Sequence, residues 1–166
     1  MPHGPDGFEY QPDFIAPAEE GRLLESFAHL TFEEAQYRQF TAKRRIVMFE
    51  EVPDFLRDLR DRIASWLEVE PRAIVHALVT QYRPGVQLGW HRDSPEYGMV
   101  AGVSLGGVAV MRLRPYARKV PPKEVLKLEL EPRSAYVMRD DARWSWQHSI
   151  SPTPGLRYSA TFRTAR

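Results

Sequence analysis

The sequence predicts a mainly β, α+β fold: a jelly roll with a layer of N-terminal helices packed on one face. Two helical stretches precede Pro71, and about eight short apolar segments follow it. Turn signals separate those segments: Arg83-Pro84-Gly85, Gly106-Gly107, Pro121-Pro122, Pro132 and Pro152-Thr153-Pro154-Gly155. Many short strands with such punctuation indicate a sandwich or barrel rather than alternating βαβ units.

In chain order, residues 1–14 read as an extended arm. Pro17 then opens a helix, because proline is tolerated in a first turn and Glu19 and Glu20 suit the positive end of the helix dipole. Leu23, Leu24 and Phe27 fall on one face of it. Pro53-Asp54 precedes a second helix in which Phe55, Leu56, Leu59, Ile63, Trp66 and Leu67 recur at helical spacing, while Arg57, Asp58, Arg60, Asp61 and Arg62 cover the other side. That stripe reads as core, and Pro71 is expected to end the helix. The expected strands are 73–82, 87–91, 100–105, 108–114, 125–130, 135–138, 144–150 and 158–163. Residues 15–72 are thus expected to form helical support and a candidate nucleotide-recognition segment, and residues 73–166 the jelly roll, within one domain of 166 residues.

Composition narrows the chemistry. With no cysteine there is no disulfide, no thiolate ligand and no cysteine nucleophile, so any metal must be held by His, Asp or Glu. No apolar run is long enough for a membrane span, and the N-terminus lacks the basic and apolar regions of a signal peptide. A cytoplasmic monomer is expected. The net charge of +1 does not announce a nucleic-acid binder. Local basic clusters do occur, at Lys43-Arg44-Arg45 and at Arg112, Arg114, Arg118 and Lys119, and either can be an ordinary solvated face.

His91-Arg92-Asp93 is the first chemical motif. Residues two apart on a strand share a side, about 6.6 Å apart at Cα. One imidazole and one carboxylate can therefore meet a single ion. His148, on a late strand, is the best third donor, and two His with one carboxylate leave open positions, as non-haem iron(II) oxygenases need. His-x-Asp alone also fits ordinary hydrogen-bonded residues. His76 reads as a core or supporting residue; His3 and His29 have no acid at ligand spacing. The second motif is the last strand. Arg157, Ser159, Thr161 and Arg163 share one face, and Tyr158, Ala160 and Phe162 share the other. The arginines lie about 20 Å apart at Cα, and their forked donors suit a small dicarboxylate between them. Two exposed arginines on an edge strand are the alternative.

His91-Arg92-Asp93, His148-Ser149-Ile150 and the segment RYSATFR at 157–163 together resemble the AlkB family of iron(II)/2-oxoglutarate dioxygenases. TQYRPG at 80–85 resembles the family's N-x-Y-x-P-G segment, and the match runs from about Ala73 to Arg163. The resemblance implies a double-stranded β-helix and a set of roles. His91, Asp93 and His148 would bind Fe(II). Arg157 and Tyr82 would hold the distal carboxylate of 2-oxoglutarate, with Ser159 and Thr80 nearby, and Arg163 would sit by the carboxylate next to the keto group. With O₂, the co-substrate would become succinate as a C–H bond is oxidised, and an N-methyl carbon would leave as formaldehyde. The family favours N-alkylated bases in single-stranded or damaged DNA or RNA, held outside their stack. Lys43, Arg44, Arg45 and Phe49 could grip such a strand, or 46–49 could be a buried strand with a basic end.

Three departures bear on this. Thr80 stands where the family has Asn. Pro95, beside Glu96, stands where repair members often carry an acid that contacts the base. The region available for a nucleotide lid is short. A dioxygenase acting on a protein side chain or small molecule, and a metal-binding jelly roll without turnover, therefore stay open.

Overall fold

The computed structural model describes residues 4–36, 41–117 and 124–166. Its elements run β1 (Phe8–Gln11), α1 (Pro17–Ala28), β2 (Glu33–Gln36), β3 (Thr41–Phe49), α2 (Arg57–Leu67), β4 (Ile74–Tyr82), β5 (Leu88–His91), β6 (Tyr97–Leu105), β7 (Ala109–Pro115), β8 (Leu126–Leu130), β9 (Ala135–Met138), α3 (Asp140–Trp144), β10 (Trp146–Ile150) and β11 (Arg157–Ala165). The strands form a major sheet in the order β1-β9-β6-β11-β4-β3-β2 and a minor sheet in the order β5-β10-β7-β8. All strand pairs are antiparallel. From β4 onward the chain crosses repeatedly between the sheets, which is the winding of a jelly roll.

Alternation along the strands divides the interior in two. Ala77, Val79, Ala101, Val103, Ala160 and Phe162 point out of the major sheet and pack with Leu23 and Phe27 of α1 and with Leu59, Ile63 and Leu67 of α2. The expected helical layer is therefore present, on one face. The two helices are also tied by Arg62 and Glu19. The opposite face of the major sheet meets the minor sheet through Val100, Met111, Leu113, Leu130, Tyr136 and Met138. This second core fills only one end of the space between the sheets. The other end is the cleft described below.

The strand pattern from 73 onward matches the expectation closely, and four features differ. The arm is partly a strand: β1 pairs with β9, and Gly7 turns the chain there at φ +87°, where an added Cβ would strike the Arg139 carbonyl. Residues 33–49 contribute two strands, so the region 15–72 is not wholly helical. α2 stops at Leu67 because Glu68 adopts the left-handed conformation at φ 60°, and Pro71 instead opens a 3₁₀ turn. The strand expected at 144–150 begins at Trp146, because Trp144 ends a short helix, α3, with acidic Asp140 and Asp141 in its first turn. His3, Arg118, Lys119 and Pro121-Pro122 lie outside the described residues. Among the described residues no helix is long and apolar enough to cross a membrane.

A candidate metal centre and co-substrate cleft

The cleft between the sheets has a volume of about 1000 Å³, at the upper end of ordinary small-molecule sites. At one end the β5–β10 register places His148 directly opposite His91. Their rings lie 4.2 Å apart between centroids. Asp93, just past the end of β5, turns its Oδ1 to 3.5 Å from Nε2 of both histidines. One donor atom from each of the three residues lies within 4.8 Å of the others. The structure thus brings together the three donors that the sequence scattered over fifty-odd residues.

Neighbouring groups set the state of each donor. His91 Nδ1 lies 2.8 Å from the Gly89 carbonyl oxygen and donates to it, which leaves the Nε2 lone pair facing Asp93. Burial pushes His148 down to about 3, helped by the neighbouring His91, so its imidazole is neutral and available as a donor. For Asp93, burial alone would raise the pKa. The neighbouring His91 and the positive charge of Arg163 outweigh that and hold it well below the usual carboxylate range. Arg163 places Nε and a terminal nitrogen each 2.9 Å from Asp93 Oδ2. Its other terminal nitrogen is 3.3 Å from His76 Nδ1, directly across the β4–β11 ladder. His76 is buried, and burial together with Arg163 lowers its pKa.

At the far end of the cleft, β11 pairs Arg157 with Tyr82 and Ser159 with Thr80. Arg157 is only 1% exposed. Its guanidinium carbon is 5.0 Å from the centre of the Tyr82 ring, and its Nε donates to Ser104 Oγ at 3.0 Å. Burial lowers its pKa, and no carboxylate among the described residues pairs with it. Tyr82, Thr80, Ser159, Thr161 and Arg157 all line the cleft. Of the residues considered for substrate, Lys43, Arg44 and Glu96 line it too. Arg45 and Phe49 do not. Phe49 packs edge-on against Phe55 in the helix-side core, 6.0 Å between ring centres, so it is removed as a stacking platform. Phe49 of β3 thus faces the helices, whereas Arg44, Ile46 and Met48 line the cleft.

Two residues escaped the sequence reading. Tyr136 is buried in the cleft wall, where a Cβ at Gly102 would come within 2.5 Å of its ring. A glycine in the middle of a central strand was the available signal for that close approach. Arg143 on α3 is 3% exposed and donates to the carbonyls of Gly98 at 2.7 Å, Ser94 at 2.7 Å and Tyr97 at 2.8 Å, with Asp93 at 3.4 Å. It clamps the loop that carries Asp93. Nothing local in the sequence marks it, because its acceptors are backbone atoms more than forty residues away.

Two imidazoles and one carboxylate converging at the open mouth of a jelly roll define the class of non-haem iron oxygenases. The chain belongs to the 2OG-Fe(II) oxygenase superfamily, whose family model matches residues 12–163. It is AlkB-like, and its family uses Fe(II), 2-oxoglutarate and O₂. Over 161 residues it is 27% identical to the "Uncharacterized protein L905" of Acanthamoeba polyphaga mimivirus, covering 89% of this chain and 74% of the viral protein. It is 24% identical over 160 residues to the "Probable RNA/DNA demethylase ALKBH6" of Danio rerio, covering 85% and 68%. Among solved structures it is similar to OsALKBH1 at TM-score 0.73 and 14% identity, covering 98% of both chains. It is equally similar in fold to a prolyl hydroxylase from Trichoplax adhaerens, at TM-score 0.73 and 14% identity over 96% of this chain and 84% of that one.

Proposed function

We propose that the protein is an oxidative dealkylase of N-alkylated bases in DNA or RNA, with His91, Asp93 and His148 as the iron ligands and 2-oxoglutarate bound by Arg157. The observation that carries the co-substrate assignment is the buried Arg157 guanidinium facing the cleft without a carboxylate. A buried unpaired charge is costly, and a dicarboxylate supplies its counter-charge together with two parallel hydrogen bonds. The metal assignment rests on the donor set. An ion bonded at about 2.1 Å to ligands at right angles needs them about 3 Å apart. The two 3.5 Å spacings around Asp93 Oδ1 suit this with small adjustment.

The residues divide the work. Gly89 fixes the His91 tautomer, Arg163 keeps Asp93 ionised, and Arg143 holds the Asp93 loop. Tyr82 and Ser104 aim Arg157, with Thr80 and Ser159 completing that end. Thr80 replaces the longer amide of the family's pattern without leaving the cleft wall. Leu78, Met111 and Ile150 line the cleft between the two ends and keep it apolar. Iron, when bound with O₂ and 2-oxoglutarate, supplies oxidation of a C–H bond coupled to succinate formation, which on an N-methyl carbon releases formaldehyde.

The nucleic-acid reading is supported by the likeness to the fish protein named as an RNA/DNA demethylase and by Lys43 and Arg44 on the cleft wall. Fe(II)-loaded protein incubated with 2-oxoglutarate and methylated oligonucleotides should release formaldehyde and succinate in equal amounts. Succinate stimulated by peptides or small molecules, and not by methylated nucleic acid, would move the substrate to those classes. Iron binding with no succinate under any condition would leave a metal-binding jelly roll.

A further inference from the structure

We propose that the outer face of the minor sheet is a docking surface for the phosphate backbone of a single-stranded nucleic acid. What the strand delivers to the cleft rests on the dealkylase reading; the surface itself rests on separate observations. Strand alternation sends His91 and His148 into the cleft and their neighbours Trp90, Gln147 and Ser149 to the other face of the minor sheet, where Ser149 is covered and Trp90 reaches the cleft rim. On that outer face the guanidinium groups of Arg112 and Arg114 stack over Trp90, at 4.8 and 4.1 Å from the ring centre. Arg112 Nε donates to Ser149 Oγ at 3.1 Å, and Arg114 Nε donates to Gln147 Oε1 at 3.0 Å. Each guanidinium is thus held over the ring and anchored through one nitrogen. Its terminal nitrogens have no acceptor among the described residues, which is the pre-organised fork that phosphate oxygens take.

The charge pattern argues against an idle solvated face. The β7–β8 register sets Arg112 directly opposite Lys127. Like charges directly opposite in a sheet are destabilising, and opposite charges are the stabilising choice. Glu129, the acid on this face, stands opposite Val110 and forms no ion pair among the described residues. The register therefore concentrates positive charge in one row of this face. From Trp90 on β5 to Lys127 on β8 is three strand spacings, about 15 Å, a length covered by a few nucleotides. The row leads to the reaction site, because Trp90 and Arg92 also line the cleft. A strand lying across this face brings a splayed base to the mouth beside His91.

Binding of the full-length protein to a fluorescent oligothymidylate, titrated across salt concentrations, tests the surface. Lys127→Glu should weaken binding about tenfold at low salt and reduce the slope of log K against log salt by about 0.7 or more. The same variant should unfold at a higher temperature than the unaltered protein, because the Arg112 pair becomes an opposite-charge pair. Weaker binding in a more stable protein cannot come from a damaged fold. The double variant Arg112→Gln/Arg114→Gln should lower the slope by about 1.4. Absent binding, a slope common to all three proteins, or tighter binding of polyglutamate than of oligothymidylate would overturn the surface. Formaldehyde release from a methylated oligonucleotide by the unaltered protein reads the chemistry separately. Release with variant-insensitive binding sinks the surface alone, and variant-sensitive binding without release sinks the dealkylase alone.

Discussion

The two arginines of β11 lie on one strand face and behave as opposites. Arg163 is satisfied within the protein: both its Nε and a terminal nitrogen hold Asp93 Oδ2 at 2.9 Å. Arg157 is more deeply buried and has a serine hydroxyl and a tyrosine ring around it, but no acid among the described residues. Sequence presents them as a matched pair around one dicarboxylate. The structure separates a charge paired with Asp93 from a buried charge that meets no carboxylate among the described residues.

The contrast is broken most directly at Arg163. Arg163→Gln leaves Asp93 buried without its charge partner, which should cost the metal-free protein about 3 kcal/mol. Fe(II) or Zn(II) should restore much of that loss, because the metal becomes the missing cation. Chemical denaturation with and without metal reads both parts, and a loss that metal does not recover would make Arg163 a general structural residue. Arg157→Met should do the reverse. Removing an unpaired buried charge should leave the ligand-free protein as stable as before or more so. The requirement for 2-oxoglutarate should rise about 30- to 150-fold, the loss of about 2–3 kcal/mol of charge-assisted hydrogen bonding. A destabilised Arg157→Met with unchanged co-substrate affinity would reject the assigned role.

This difference also marks what the sequence could disclose. The ligand triad was legible because order, spacing and residue type all constrain it, and period-two alternation correctly sent Arg157, Ser159, Thr161 and Arg163 to one face. The same alternation fails to say what each arginine meets there. That depends on Asp93 and Ser104, brought in by other strands. β3 was harder still. Phe49 follows a basic run and looks like a stacking platform, yet its odd position in the strand turns it to the helices. Strand phase, which decides this, needs the pairing of β3 with β4. Arg143 was invisible because backbone carbonyls carry no sequence signature.

Proton linkage separates the two ends by pH. His148 moves from its ordinary 6.5 to about 3 in the fold, and His76 is lowered as well. Below about pH 6.5 the unfolded chain takes up protons that the folded chain refuses. Stability of the metal-free protein should therefore fall as pH drops, by up to about 1.4 kcal/mol per unit for each such group. Asp93 adds to the loss once pH passes below its ordinary 3.8. At the Arg157 end burial raises the pKa of Tyr136, so the sign reverses: above its ordinary 10.0 the unfolded chain loses a proton that the folded chain keeps, and stability falls as pH rises. Urea midpoints that stay flat from pH 7 to 5 would contradict the burial of neutral His148.

The smallest change tests how Arg157 is aimed. Ser104 Oγ is the acceptor for Arg157 Nε, and the Ser104 backbone is fixed independently by its bonds with Ser134 and Arg133. Ser104→Ala therefore removes one hydroxyl with little displacement of β6. A hydrogen bond from a charged guanidinium, lost at a buried donor, costs about 1.5–3 kcal/mol, and only the part that aims the group at the co-substrate is lost from binding. If the hydroxyl fixes the direction of the guanidinium, 2-oxoglutarate affinity should fall about fivefold. Metal affinity should stay the same, because the donor triad lies at the other end of the cleft. Calorimetric titration of the Zn(II)-loaded variant with 2-oxoglutarate measures the first, and metal titration without co-substrate measures the second. Unchanged co-substrate affinity would assign the aiming of Arg157 to the Tyr82 ring alone. A fall in metal affinity would mean that the two ends of β11 are coupled, and that the separation drawn between its arginines does not hold.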